Sequence, residues 1–214
     1  HLIIPCRILF NKRKVKYTID ITFCKAARYR ARPDEPFRIL GERGWKVPKE
    51  YFMKSYTVHF IRHGTTEGNE QGRYIGSTDL ALSPGGAEHL HALGKKHSYP
   101  TAQVYLCSPM RRCTETMGIL YPKAKPTLIS GLRECDFGDW EGKTAGEIAG
   151  EDGRFRRWIA GDGEPVTPPN GEDGSAFAQR VCAAFEKIVE DLMRSGTTST
   201  VIVTHGGVVM SILA

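Results

Sequence analysis

Apolar and polar residues alternate along most of this chain in patterns that predict strands and helices in turn. Short apolar or alternating runs predict strands at residues 55–61, 103–107, 126–129 and 200–204. Helical spacing predicts helices at 84–97, 109–120, 144–150, 154–159 and 174–194, with Ser83, Ser108 and Thr144 as the N-caps of the first three. Strands that alternate with helices, and a last strand that is apolar throughout, favour an α/β fold with a mostly parallel central sheet flanked by helices.

Both ends of the chain depart from this pattern. Residues 1–52 show no sustained strand or helix period, apart from one basic stretch that could form a strand. We interpret 1–52 as a basic extension that is either non-native upstream sequence, with translation starting at Met53, or disordered. A genuine basic arm that binds RNA is the alternative. The apolar stretch that ends at Ala214 has no capping signal, so we expect the domain at 53–214 to be incomplete at its C-terminus.

Charge and composition narrow the classes of protein. The 214 residues carry a net charge of +6, which would suggest a nucleic-acid partner. However, residues 1–52 hold 13 basic and 5 acidic residues, whereas the rest holds 17 and 19. We therefore expect no nucleic-acid partner for the domain. No apolar run approaches the ~20 residues that span a bilayer, and no signal peptide is recognisable. Six dispersed cysteines without a C-x-x-C pair predict reduced thiols in a cytoplasmic protein.

Basic and imidazole side chains stand where three predicted strands end. The first strand runs into Arg62 and His63, the last into His205, and the 103–107 strand into a helix that carries Arg112. Ligands of open parallel sheets bind beyond the carboxyl ends of the strands. These residues are therefore expected to meet at one edge of the sheet, although a single strand-end histidine would be unremarkable.

Four ordered blocks make the expectation specific: R-H-G-x-T-x-x-N, S-P-M-x-R, L-R-E-x-D-F-G-x-W-E-G and T-H-G-G. Together they resemble the histidine phosphatase superfamily, also called phosphoglycerate mutase-like, over residues 55–214. The third block and the stretch YIGSTDLALS are similar to small phosphatases such as the α-ribazole phosphatases. Phosphoglycerate mutases resemble the chain less.

The resemblance implies a role for each matching position. It implies that His63 is the nucleophile that becomes phosphohistidine and that Glu134 is the general acid. It implies that Arg62 and Arg112 hold the phosphoryl oxygens and that His205 is the second histidine of the phosphate pocket. It also implies substrate-binding roles for Asn69, for the backbone of Gly76, and for Gly206 in the loop that places the last histidine. Asp136 is the rival acid.

These implied roles agree with the chemistry of phosphoryl transfer. Charge on the three equatorial oxygens suits two arginine forks, and a carboxyl near a phosphate has a raised pKa, as an acid near neutral pH requires. We expect a phosphomonoesterase acting on a small phosphorylated metabolite, with no metal, no cofactor and no membrane partner. A mutase and a phosphate-binding protein without turnover are the alternatives. The physiological substrate and the oligomeric state stay open.

The segment 151–170 is expected to form a wall of the substrate site. Phe155, Arg156, Arg157 and Trp158 could contact an anionic or ring-bearing leaving group. Alternatively, Phe155 and Trp158 simply pack the segment against the domain.

Overall fold

A computed structural model describes residues 6–10, 16–24, 53–161 and 163–214 of the protein. The strands within these ranges are β1 (Cys6–Phe10), β2 (Lys16–Cys24), β3 (Met53–Arg62), β4 (Val104–Cys107), β5 (Thr127–Leu128) and β6 (Ser199–Thr204). The helices there are α1 (Glu67–Glu70), α2 (Pro84–Lys96), α3 (Arg111–Leu120), α4 (Ala145–Glu151), α5 (Phe155–Ala160), α6 (Gly174–Ser195) and α7 (Gly206–Leu213). Short 3₁₀ turns lie at Ser130–Leu132 and Gly138–Trp140.

The central part of the sheet is parallel. β6 lies between β3 and β4, and β5 follows β4 at the edge, with each of these pairings parallel. The register places Arg62 opposite Thr204, so β3 and β6 end side by side. The predicted α/β class with a mostly parallel sheet between helices is therefore confirmed.

β1 and β2 extend the same sheet beyond β3 in the antiparallel sense. β2 pairs with β3 from Lys16 opposite Ile61 to Cys24 opposite Met53, and β1 pairs with β2. Both strands fall within the basic segment, of which residues 1–5, 11–15 and 25–52 lie outside the described residues. The interpretation of 1–52 as non-native or disordered sequence, separate from a domain at 53–214, stays a prediction.

Local capping chemistry explains where two of the predicted helices begin. The hydroxyl of Ser83 accepts the Gly86 N–H at 2.9 Å before α2. Thr144 forms a capping box with Glu147 before α4. The predicted cap at Ser108 is wrong, because α3 begins at Arg111 and its N-terminus has no side-chain cap.

The core fills both faces of the parallel strands. On one face, Phe60 and Ile202 pack with a row of α6 residues spaced four or seven positions apart, which are Phe177, Val181, Ile188 and Leu192. On the other face, Ile61, Val201 and Val203 pack against Cys113 and Met117 of α3. Side chains of β3 and β6 are thus buried on both faces, and this burial fixes the strand ends relative to each other.

A cluster of aromatic rings packs α5 against the rest of the domain. The rings of Phe155 and Trp158 are stacked with centroids 5.8 Å apart, and both contact Trp140 and Tyr74. Phe155 is 1% exposed. This geometry favours the packing alternative for Phe155 and Trp158 over contact with a ligand.

Candidate active site

Three strands deliver the predicted site residues to one edge of the sheet. The N–H of His63, just beyond β3, donates to Thr204 O of β6 at 2.9 Å. The N–H of Ser108, just beyond β4, donates to Val203 O at 2.9 Å. The ring centroids of His63 and His205 lie 5.2 Å apart. The structure thus brings together the strand ends that the sequence pattern predicted to meet.

His63 has one ring nitrogen that no described residue engages. Its Nδ1 lies 2.7 Å from the carbonyl oxygen of Gly64. A carbonyl can only accept, so Nδ1 carries the proton and Nε2 keeps its lone pair. Burial, together with the charges of Arg112 and Arg62, lowers the pKa of His63 to about 3, against the opposing effect of the Gly64 hydrogen bond. The ring is therefore neutral over the physiological pH range.

His205 is fully buried and bonded at both nitrogens. Arg112 Nε donates to its Nδ1 at 3.3 Å. Nδ1 must then be the acceptor, so Nε2 carries the proton and donates to the Ser108 hydroxyl at 2.8 Å. Burial first, and then the charge of Arg112, lowers the pKa of His205. The Cys113 sulfur lies 3.5 Å from Nε2 and packs against the ring.

The two arginines differ in burial. Arg112 is 1% exposed, and it donates from Nη1 to Thr78 O at 2.8 Å and from Nη2 to Gly76 O at 2.7 Å. Each terminal nitrogen still carries a second N–H. Arg62 is exposed, and none of the described residues accepts a hydrogen bond from its side chain. The positive charges of Arg112 and Arg62 both act to lower the pKa values of His63 and Glu134.

Glu134 is held by two backbone amides. Its Oε2 accepts the Gly207 N–H at 3.1 Å and its Oε1 accepts the Cys135 N–H at 3.1 Å. Burial disfavours the charged form and raises the pKa of Glu134, although both amides and both arginines act in the opposite direction. The carboxyl therefore has the environment of a proton donor.

The turn at the start of α7 leaves no room for a side chain beside Glu134. A Cβ on Gly207 would lie 2.4 Å from Glu134 Oε1, whereas a Cβ on Gly206 would meet Arg62 Nε at an ordinary 3.6 Å. Gly206 begins α7 directly after His205, and its predicted substrate-binding role stays a prediction. Gly207, which the sequence reasoning did not single out, makes the closer approach.

Asn69 and Gly76 both form hydrogen bonds with other residues of the protein. Asn69 Oδ1 accepts the Thr66 N–H at 3.2 Å in a capping box, which leaves its amide nitrogen as a donor. The Gly76 N–H donates to both Glu141 oxygens, at 3.0 and 3.1 Å, and a Cβ there would lie 1.8 Å from Cys135 O. The predicted contact between the Gly76 backbone and a phosphate is not supported by this geometry, because the amide is already used. The predicted substrate contact of Asn69 stays a prediction.

Glu141 is the main residue that sequence reasoning missed. Its carboxylate accepts the backbone N–H groups of Gly76, Ser77, Thr78 and Phe137, at 2.8 to 3.3 Å, and the Thr78 hydroxyl at 2.6 Å. It therefore shapes the loop whose carbonyls Arg112 binds. Its place in the W-E-G block was the available signal, but nothing local distinguished it from other glutamates.

Ser108 and Thr116 were also missed as supports of the two histidines. The Thr116 hydroxyl accepts the Gly64 N–H at 2.9 Å and donates to Arg112 O at 2.6 Å. It thereby ties the residue after His63 to α3. Ser108 binds His205, and this explains why it caps no helix.

Asp136, the rival acid, is occupied as an acceptor. Its Oδ1 accepts the Ser77 hydroxyl at 2.8 Å and the Gly138 N–H at 2.9 Å. Asp136 therefore holds the backbone of its own loop and the side chain of Ser77. The geometry favours Glu134.

A cavity of about 370 Å³ opens beside Glu134. Its wall contains Ser77, Met110 and Arg133, and Asn170 and Glu172 from the segment after α5. Asn170 is the residue of the predicted wall segment 151–170 that lines this cavity, whereas the α5 aromatics lie outside its lining. Arg156 and Arg157 are exposed on α5, outside this wall.

Arg180 supports the loop that carries Glu134. It donates to Gly131 O at 2.9 Å and Arg133 O at 3.0 Å, and its guanidinium pairs with Glu172 at 2.7 Å. α6 thereby anchors the acid loop from behind.

The part of the chain that the structure describes has neither a metal-ligand cluster nor a membrane-spanning helix. No group of three or more His, Cys, Asp or Glu residues there could hold a metal ion. No described helix combines the length and the apolar character needed to cross a membrane. Among the described side chains, Cys107, Cys113, Cys135 and Cys182 form no disulfide.

Comparison with known proteins agrees with this geometry. Residues 58–214 match the sequence profile described as histidine phosphatase superfamily (branch 1). The chain is 32% identical over 159 residues to the adenosylcobalamin/alpha-ribazole phosphatase of Escherichia coli K12, covering 72% of this chain and 75% of that protein. It is 29% identical over 169 residues to the glucosyl-3-phosphoglycerate phosphatase of Mycolicibacterium vanbaalenii, covering 76% and 74%.

Solved structures give the same result. The crystal structure of the alpha-ribazole phosphatase from Shigella flexneri superposes with a TM-score of 0.61 at 29% identity, covering 70% of this chain and 74% of that one. The resemblance read from the four sequence blocks is confirmed, and the relatives named here are phosphatases. The chain belongs to the histidine phosphatase superfamily.

Proposed function

We propose that this protein hydrolyses phosphate monoesters of small metabolites through a phosphohistidine at His63, with Glu134 as general acid and then general base. One observation carries the proposal: the bond from His63 Nδ1 to Gly64 O leaves Nε2 neutral and unprotonated. An imidazole nucleophile needs that state.

In the first step, His63 Nε2 attacks phosphorus while the ester oxygen leaves. Glu134 gives its proton to that oxygen, so an alcohol departs and a carboxylate remains. Arg112 and Arg62 supply positive charge for the phosphoryl oxygens, and Arg112 has two N–H groups left for this role. His205 accepts the Arg112 Nε–H at its Nδ1, which orients Arg112, and its ring forms part of the phosphate pocket.

In the second step, the Glu134 carboxylate takes a proton from water, and the water oxygen attacks phosphorus. The His63–phosphorus bond breaks, phosphate is released, and the starting states of both residues return. The raised pKa of Glu134 supports its first role, and its two backbone donors support its second, because they stabilise the carboxylate. No step uses a metal ion.

The substrate is proposed only as a class. The named relatives act, by their names, on different phosphorylated metabolites, including α-ribazole and a glucosylated phosphoglycerate. The cavity of about 370 Å³ beside Glu134 would take a leaving group of metabolite size. α-Ribazole phosphate is the first natural substrate to test.

The test measures phosphate release from p-nitrophenyl phosphate, with and without EDTA. His63→Ala should abolish release, whereas His91→Ala, an exposed histidine on α2, should leave it unchanged. With ³²P-labelled substrate, Glu134→Gln should accumulate an acid-labile phosphoenzyme, since an aryl leaving group needs little proton donation but hydrolysis needs the base. Phosphate release that survives His63→Ala would overturn the assignment of His63 as the nucleophile. Activity that EDTA removes and Mg²⁺ restores would overturn metal independence, and transfer without net release would indicate a mutase.

A further inference from the structure

The cavity beside Glu134 contains charges that the proposed chemistry does not use. Arg133, Asp136, Glu172 and Arg180 all line it. Their state of pairing decides what kind of leaving group the wall would recognise.

Two of these charges neutralise each other. Arg180 forms a two-pronged pair with Glu172, from Nε to Oε1 at 2.9 Å and from Nη2 to Oε2 at 2.7 Å. Arg180 also holds the carbonyls of Gly131 and Arg133. This pair supports the wall and leaves little charge for a ligand.

Arg133 is different. It is exposed, and none of the described residues accepts a hydrogen bond from its guanidinium. Its backbone is fixed at both ends, because its N–H donates to Ser130 O at 3.3 Å and its O accepts from Arg180 at 3.0 Å. A free guanidinium therefore stands on a fixed backbone, next in sequence to the proposed acid.

Asp136 supplies the complementary group. Its Oδ1 is used by Ser77 and Gly138, whereas no described donor reaches its Oδ2. A leaving group with one anion and one hydrogen-bond donor would satisfy both side chains. Asp136 lines the same cavity, and a carboxylate brings one negative charge close to it whereas a second phosphate brings up to two, so a carboxylate fits better than a second phosphate.

We infer that Arg133 is a specificity-determining residue that binds a carboxylate on the leaving group, so that phosphorylated hydroxy acids and amino acids are preferred substrates. The planar guanidinium fork matches both carboxylate oxygens. The inference rests on the proposed function, because it names the substrate class of the same site.

The test uses two probes that differ only in the carboxylate, O-phospho-L-serine and O-phosphoethanolamine. The unchanged protein should prefer phosphoserine in kcat/KM by about 10- to 100-fold, the range of a charge-assisted hydrogen bond. Arg133→Gln should remove this preference through KM of phosphoserine, while phosphoethanolamine and p-nitrophenyl phosphate keep their kcat/KM within about threefold. Arg133→Lys should restore part of the preference. Arg156→Gln, an exposed arginine outside the wall, should keep all of it.

A preference that survives Arg133→Gln, or an unchanged protein that treats both probes alike, would overturn the inference. A parallel measurement separates this failure from failure of the proposed mechanism. Calorimetric binding of both probes in the His63→Ala variant, with and without Arg133→Gln, needs no turnover. If the binding preference depends on Arg133 but the unchanged protein hydrolyses nothing, the carboxylate site stands and the hydrolytic function falls.

Discussion

Replacing Gly207 by alanine should misplace Glu134 without unfolding the protein. The new Cβ would lie 2.4 Å from Glu134 Oε1, where ordinary contacts begin at 3.4 Å, so the carboxyl must move by roughly 1 Å. The obstructed atom is the end of a side chain, which can turn away. A displacement of that size at a catalytic group costs about 100-fold in rate. We therefore expect kcat to fall about 100-fold for an alkyl phosphate, with little change in Tm.

The assay compares leaving groups. An alkoxide needs its proton, whereas p-nitrophenolate leaves readily, so the variant should lose much more activity on phosphoethanolamine than on p-nitrophenyl phosphate. Gly146→Ala is the matched control, since it is also the second residue of a helix and a Cβ there meets nothing within 4 Å. Equal activity of Gly207→Ala and Gly146→Ala on the alkyl ester would refute the link between this turn and the acid.

Three further predictions follow from the same contacts. The pH profile of kcat/KM should rise near pH 3, where His63 becomes neutral, and fall as pH passes the raised pKa of Glu134; the fall should be clear with phosphoethanolamine and weak with p-nitrophenyl phosphate, whose leaving group needs little proton donation. Glu141→Gln turns one acceptor into a donor facing backbone N–H groups, so it should cost about 1–3 kcal/mol in the free energy of unfolding, measured in urea, and raise KM. A chain that starts at Met53 should keep kcat and KM of the full chain, and a loss of folding would count against the interpretation of residues 1–52.

Local signals in the sequence were sufficient for elements whose determinants are local. Ser83 and Thr144 cap their helices because the amides that they bind lie three residues later. Ser108 has the same appearance in the sequence, yet its hydroxyl binds His205, which lies 97 positions away. Competition between a nearby amide and a distant imidazole cannot be read from the residues around Ser108.

The candidate site likewise contains residues that the sequence pattern predicts and residues whose role depends on tertiary contacts. His63 and His205 were predicted to meet because both follow strands of one parallel sheet, and the resemblance added their roles. Glu141 gathers amides from a loop some 60 residues earlier in the chain, and Gly207 matters only because Glu134 lies against it. Such supports depend on tertiary contacts that no spacing pattern contains.

The strand order also has a consequence for synthesis of the protein. β6 occupies the place between β3 and β4, although β3 and β4 leave the ribosome long before it. Until residues 199–204 emerge, a nascent chain has two apolar strands with unpaired edges, and His63 has no neighbouring strand end. Such contacts between distant segments form late and slowly. We therefore expect the nascent chain to be prone to aggregation, and to depend on chaperones, until β6 inserts.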